Sequence, residues 1–171
     1  KNKLFEYLSF PENCLTVGQS EEIKDFRNKW SNHYWYLNLV TLNYTRSIEH
    51  IIGEFNGSIN VGMHHKTAPI DLLTIEHIHG FVDERMIIGV NDISQIVNEK
   101  FHNVEEILES LIKTKCNKAL NHKIDRTFEN HIKTANLICI FGSSIGETDN
   151  CWWESIGERL KEDCRLIIFS K

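Results

Sequence analysis

Leu137-Ile138-Cys139-Ile140-Phe141 is apolar without a break and runs directly into Gly142-Ser143-Ser144-Ile145-Gly146. Consecutive apolar positions cannot alternate between a core face and a solvent face. Such a segment is a strand covered on both sides, as strands of parallel sheets are. Its cover has to come from helices. Tyr36-Leu37-Asn38-Leu39-Val40-Thr41-Leu42 and Leu72-Leu73-Thr74-Ile75-Glu76-His77-Ile78 read as two more strands, the first also covered on both faces. Residues 58–63, 86–90 and 166–169 read as shorter ones. Between them, apolar residues recur at helical spacing: Leu4, Phe5 and Leu8 up to Pro11; Ile23, Phe26 and Trp30 behind a cap at Ser20; Ile48, Ile51 and Ile52 behind Thr45. The same spacing returns in Val104–Ile112 behind a capping box at residues 103–106, in one long helix over 118–134, and in Trp152, Ile156 and Leu160 from about Asp149. Alternating strands and helices imply a three-layer α/β fold with a mainly parallel sheet and flanking helices. No linker or repeat interrupts the 171 residues, so 1–171 reads as a single domain.

Composition narrows the function classes. The chain carries 19 Lys and Arg against 24 Asp and Glu, a net charge of −5. That balance argues against a broad nucleic-acid-binding surface, which is usually basic. No apolar run reaches the roughly 18 residues of a membrane span, and the N-terminus has no signal-peptide core. Five cysteines, odd in number and without a Cys-x-x-Cys, suit a reduced, cytoplasmic setting. The chain opens without Met in the middle of an amphipathic phrase, so a piece of a longer protein is expected.

In α/β folds ligands sit beyond the carboxyl ends of parallel strands. Three loops are therefore candidates. In Thr41-Leu42-Asn43-Tyr44-Thr45 the Asn43 amide offers a donor and an acceptor at a strand end, or else completes a turn or cap. In Glu76-His77-Ile78-His79-Gly80, two histidines two apart share one strand face, and His79 before Gly80 can project into a crevice as a general base. The alternatives are a structural histidine, or a metal site with His64 and His65, although no Asp, Glu or Cys lies at a familiar zinc spacing. Residues 142–149 formally contain the G-x-S-x-G of a hydrolase elbow. No histidine follows Ser144, so the order of that triad fails. A better fit is a loop whose glycines and serines (Gly142, Ser143, Ser144) bring backbone and hydroxyls against ribose or phosphate oxygens, with Asp149 capping the next helix or binding a hydroxyl.

Taken in order, Leu42-Asn43-Tyr44-Thr45, His77-Ile78-His79-Gly80 and Phe141-Gly142-Ser143-Ser144-Ile145-Gly146-Glu147-Thr148-Asp149 resemble the AbiH family of bacterial phage abortive-infection proteins. The resemblance runs from about Val40 to the C-terminus and includes Met86-Ile87-Ile88-Gly89-Val90-Asn91-Asp92. AbiH proteins in turn resemble, more distantly, sirtuin-like domains, which have a Rossmann-like fold and bind NAD. That resemblance implies catalytic roles for Asn43, which would position a water or the nicotinamide ribose, and for His79, the base at a ribose hydroxyl. It implies a cofactor-binding lining of Thr41, Gly80, Gly142, Ser143, Ser144 and Asp149. Thr45 stands where sirtuin-like enzymes carry Asp. The Gly-Asn-Gly-Phe-Asp-like phrase that opens family members has no counterpart here, so the chain is expected to be the C-terminal portion of a longer AbiH-like protein, lacking the first strand-helix unit.

Three functions follow as expectations. The full-length protein is an NAD glycohydrolase acting in phage defence, or a nucleotide sensor without turnover, or a protein-interaction module with Trp30, Trp35, Trp152 and Trp153 as candidate anchors, one of the adjacent Trp152 and Trp153 meeting a partner or the missing N-terminal portion. Trp30 and Trp152 fall on helical stripes and are expected in the core. Apolar surface left by a missing N-terminal portion predicts self-association or contact with that portion.

Overall fold

A computed structural model describes residues 1–65, 67–143 and 145–169, with the backbone alone at Thr148. The chain is α/β. It divides into two compact units, Lys1–Val40 with Arg46–Ile75, and Thr41–Thr45 with Glu76–Lys171.

The first unit begins with α1 (Asn2–Ser9), which ends where Pro11 opens a 3₁₀ turn. Next is α2 (Val17–Asn28), capped one turn earlier than Ser20 predicts. Thr16 and Gln19 form a reciprocal capping box, with Thr16 Oγ1 2.7 Å from Gln19 Oε1. Strand β1 (Trp35–Thr41) follows, then α3 (Ser47–Ile52), β2 (Ile59–His64) and β3 (Ala68–His77). They form a three-stranded sheet in the order β1-β3-β2. β2 and β3 are an antiparallel hairpin with an irregularity between Asn60 and Gly62. β1 is not covered on both faces as expected: Tyr36 is 63% exposed and burial alternates along the strand. The core of this unit is Ile52, Val61, Ile70 and Leu72, with Leu4, Phe5, Leu37 and Ile48 packed against it. Truncating a fully buried Ile52 or Leu72 to Ala would cost roughly 2–5 kcal/mol.

The second unit holds the strand ends at Thr41 and His77 and the rest of the chain. Its helices are α4 (Glu105–Leu111), α5 (Lys113–Ala119), α6 (Ile124–Thr134) and α7 (Asn150–Arg159). Its two strands, β4 (Leu137–Phe141) and β5 (Arg165–Phe169), pair in parallel. The described strands thus form two small sheets, one of three strands and one of two, where one mainly parallel sheet was expected.

Four local expectations change. Residues 86–90 form no strand; Val90 alone makes a single parallel bridge to Ile112. That bridge draws Ile112 into extended backbone (φ −92, ψ 114), which ends α4 and starts α5 one residue later. The long helix over 118–134 is two helices, because Asn121 sits at φ 54, a left-handed position that Asn tolerates and that ends helices. The capping box at 103–106 is absent: Val104 occupies the cap position of α4 without a side-chain bond. Trp152 is buried against Phe128 as expected, whereas Trp30 lies past the end of α2, half-buried and edge-on to Phe26.

Candidate functional site

The site grows from the ends of β1 and β3. The Ile78 N–H donates to the Thr41 carbonyl at 3.2 Å, so these strand ends lie side by side. Thr41 is buried, and its hydroxyl accepts from the Asn43 N–H at 3.1 Å, closing a turn that leaves the Asn43 residue exposed. The Asn43 carbonyl accepts from His77 Nδ1 at 3.0 Å, and the His77 ring lies 4.0 Å from Phe81. His77 therefore has the structural role that was its alternative reading.

Gly80 makes the following turn. It has φ +73, and a Cβ there would lie 1.9 Å from the Arg85 carbonyl. Arg85 itself stands at φ 53, held by a 2.7 Å bond from its Nη2 to the His77 carbonyl. Ile87 binds this turn on two sides. Its N–H donates to the His79 carbonyl at 2.9 Å, and its own carbonyl accepts from the Tyr44 hydroxyl at 3.0 Å. Of the apolar run at 86–90, Ile87 is buried at this knot, whereas Met86 and Ile88 are exposed.

The turn delivers His79, 4% exposed, to Asp149. Its Nε2 is 3.1 Å from Asp149 Oδ1, and Lys113 Nζ is 3.1 Å from the same oxygen and 3.4 Å from the imidazole. A carboxylate only accepts, so the bond to Asp149 places the proton on Nε2, and the Lys113 ammonium, itself only a donor, bonds Asp149 and merely lies near the ring. The hydrogen bond from His79, then the Lys113 ammonium, hold the Asp149 carboxyl below the usual aspartate range against the opposing effect of burial. Burial, and then the Asp149 charge, push the Tyr44 phenol above its usual range, so it stays a donor to Ile87. The Tyr44 and His79 ring centroids are 6.0 Å apart.

Asp149 closes the 3₁₀ turn Glu147–Asp149 and precedes α7, but its side chain makes no cap bond. The Gly146 carbonyl accepts from Trp153 Nε1 at 3.2 Å, and the Glu147 carbonyl accepts from Gln95 Nε2 at 3.2 Å. Gly146 and Glu147 are thus fastened, and the half-buried Trp153 is one of the fasteners. Gly142 has φ +58 and open space where a Cβ would stand. Ser143 is half-buried, and Ser144 lies outside the described residues.

Of the candidates, His79 and Asp149 are in direct contact. Thr41, Asn43 and Gly80 shape the same turn system. His64 and His65 belong to the other unit, where His64 packs 4.8 Å from the Trp35 ring and His65 contacts Asn28. Among the described residues no group of three His, Cys, Asp or Glu side chains is placed to hold a metal.

Sequence reasoning missed Lys113, Asn117 and Asp125. Asn117, 1% exposed, donates through Nδ2 to Asp125 Oδ1 at 2.9 Å. Burial pushes the Asp125 carboxyl up despite that bond. No spacing signal announces these residues: Lys113 and Asn117 fall between the helices read at 104–112 and 118–134, and Asp125 lies inside the second. Lys113 does carry one physical oddity: a buried ammonium in the first turn of a helix, where the dipole disfavours a cation. Only a carboxylate partner makes that position tenable. Cys151 nearby is pushed up by burial, which keeps it a thiol and a poor nucleophile.

Chemically, these groups form a buried imidazole-carboxylate-ammonium cluster beside a glycine-serine loop. It can orient a histidine and hold a polar ligand. A family model described as bacteriophage abortive infection AbiH matches residues 2–170. The chain belongs to the AbiH family and so to the bacteriophage abortive infection proteins. No curated protein and no solved structure matches it. No helix among the described residues is long and apolar enough to cross a membrane.

Proposed function

We propose that this chain is the nucleotide-binding part of its abortive infection protein, built on a Rossmann-like plan and acting in the cytoplasm, with NAD hydrolysis as the reaction of the full-length protein. The observation that carries the reading is the bond between His79 and Asp149, across 70 positions of sequence. It supports a common site for the His-Gly turn and the Gly-Ser loop. Open space at Gly142 supports close approach of a ligand to the backbone. In this reading Asn43 positions the water or the nicotinamide ribose, and His79 takes a proton at a ribose hydroxyl. Thr41, Gly80, Gly142, Ser143, Ser144 and Asp149 hold the cofactor. Water adds to the ribose C1′, the C1′–N bond breaks, and its electron pair leaves with neutral nicotinamide, giving ADP-ribose and a proton. The intact protein should release nicotinamide from NAD, and Asn43→Ala should abolish release. Asn43 is exposed, so this variant should keep its fold; turnover unchanged in it discards the role.

A second reading, binding without turnover, is favoured by one observation. Thr45 stands where the sirtuin-like pattern has a carboxylate. Calorimetric binding of a nucleotide without product would select it. In either reading the protein self-associates or meets further chain. Phe141 and Phe169 stack 4.2 Å apart at the end of a two-stranded parallel sheet, with Phe141 and Ile168 both about half exposed. Light scattering should find particles larger than one chain; a well-behaved monomer counts against association.

A further inference from the structure

Beside His79 runs a narrow cleft lined by Ile78, Asn91, Lys113, Asn117, Asp125 and Trp152, among others, all in the second unit. Three of its lining side chains carry a buried polar atom with no hydrogen-bond partner among the described residues: His79 Nδ1, Asn91 Nδ2 and Asn117 Oδ1. Unpaired buried polar atoms are uncommon in native proteins, and each calls for a reason. Three on residues that line one cleft call for a shared one. As it stands the cleft is too narrow to hold a water molecule, so solvent does not satisfy them.

Their chemistry is specific. The bond from Asn117 Nδ2 to the Asp125 carboxylate fixes that amide's orientation and leaves its oxygen as an acceptor. The bond from His79 Nε2 to Asp149 leaves Nδ1 as a second acceptor. Asn91 supplies a donor. Two acceptors and one donor complement a group with two N–H donors and one acceptor. An NH2 beside a carbonyl or ring nitrogen has that inventory. A phosphate or a carboxylate carries no N–H at all and, when ionised, offers mainly acceptors. Ile78 and Trp152 provide apolar walls that suit a planar ring.

We infer that this cleft is a subsite for a planar group bearing an NH2 next to a hydrogen-bond acceptor, the edge shared by an aromatic carboxamide and an amino-substituted nucleobase. The inference rests on the nucleotide reading for its setting and on binding without turnover, because His79 Nδ1 cannot both accept from the NH2 and take a proton from a ribose hydroxyl. Binding opens the cleft, and the three orphaned atoms are satisfied by the ligand.

The test compares paired probes on the chain by calorimetry and by NMR of the Asn91 and Asn117 side-chain amides. Nicotinamide is set against nicotinic acid, and adenine against hypoxanthine. The expected result is that at least one NH2-bearing probe binds and shifts those amides, while its oxygen counterpart binds about tenfold more weakly or not at all. The pair that discriminates identifies the source. Asn91→Leu should weaken that binding by about tenfold or more without lowering the melting temperature, since it removes an unpaired donor from the free protein. Absence of binding by both amino probes overturns the subsite, as does equal binding of the counterparts. So does an Asn91→Leu protein that melts lower and binds as well. If that variant does not fold, the wild-type pairs decide. NAD turnover is measured separately: its absence overturns the hydrolase reading and leaves the subsite standing, whereas its presence with silent probes does the reverse.

Discussion

Gly80 has no room for a methyl group. The Arg85 carbonyl occupies the space, and the backbone is left-handed there. Gly80→Ala should therefore destabilise the chain by about 2 kcal/mol or more, through strain and displacement of the turn. Urea denaturation checks this, and His79 should lose its contact with Asp149 in the same variant. Asp149 makes a pH-dependent prediction. Its carboxyl is held below its unfolded value by His79 and Lys113. The folded state binds that proton less readily than the unfolded state, so its stability contribution is full above the ordinary aspartate pKa of about 3.9. It is lost as pH falls from there through the lowered folded value. Asp149→Asn should remove this acid-dependent component. At neutral pH it should cost about 3 kcal/mol, because it takes the carboxylate from a buried ammonium. Denaturation curves at neutral and acid pH should converge for wild type and variant as acid removes the charge.

Elements in the first unit depend on one buried ion pair. Arg27 of α2 is 1% exposed and Glu12 is 3% exposed. Arg27 Nη1 lies 2.6 Å from both Glu12 oxygens, and the guanidinium sits 4.6 Å from the Trp35 ring centroid and 5.4 Å from that of Phe10. The pair joins α2 to the 3₁₀ turn at Pro11–Cys14. Arg27→Met alone should cost roughly 3–5 kcal/mol, because it strands a buried carboxylate. Adding Glu12→Leu should recover much of that loss, since an apolar pair needs no compensation there. A double-mutant cycle by chemical denaturation reads the coupling; additive losses would show the pair to be incidental. At the same scale, the break between α4 and α5 shows how an element end can be imposed from outside. The periodicity of residues 104–112 continues helically through Ile112. Pairing with Val90 takes Ile112 out of the helix and turns Lys113 toward Asp149.

At the scale of the molecule, the parts legible from amino-acid order were those governed by local rules. The uninterrupted apolar run at Leu137–Phe141 is strand β4 to the residue, though its expected two-sided cover is partial, with Ile140 buried and Phe141 49% exposed, and Leu166–Phe169 is β5 less its first residue. α1 stops at Pro11 because proline cannot continue it, and α7 starts after Asp149. The Thr16-x-x-Gln19 box and the break at Asn121 were also written locally, in capping and left-handed preferences, and went unread. His79 and the 142–149 loop stood out because histidine-glycine and glycine-serine phrases at strand ends carry recognisable chemistry. Other features were settled by contacts between distant segments. Ile87 became an anchor because its partners are the backbone of His79 and the hydroxyl of Tyr44, not a neighbouring strand. The division of strands into two sheets is a choice of pairing, to which hydrophobic pattern is blind. The cluster of His79, Lys113 and Asp149 draws on three segments 34 and 36 positions apart. Linear order holds each side chain's chemistry but not its neighbours, and a buried charge is tolerable only once folding brings the opposite one beside it.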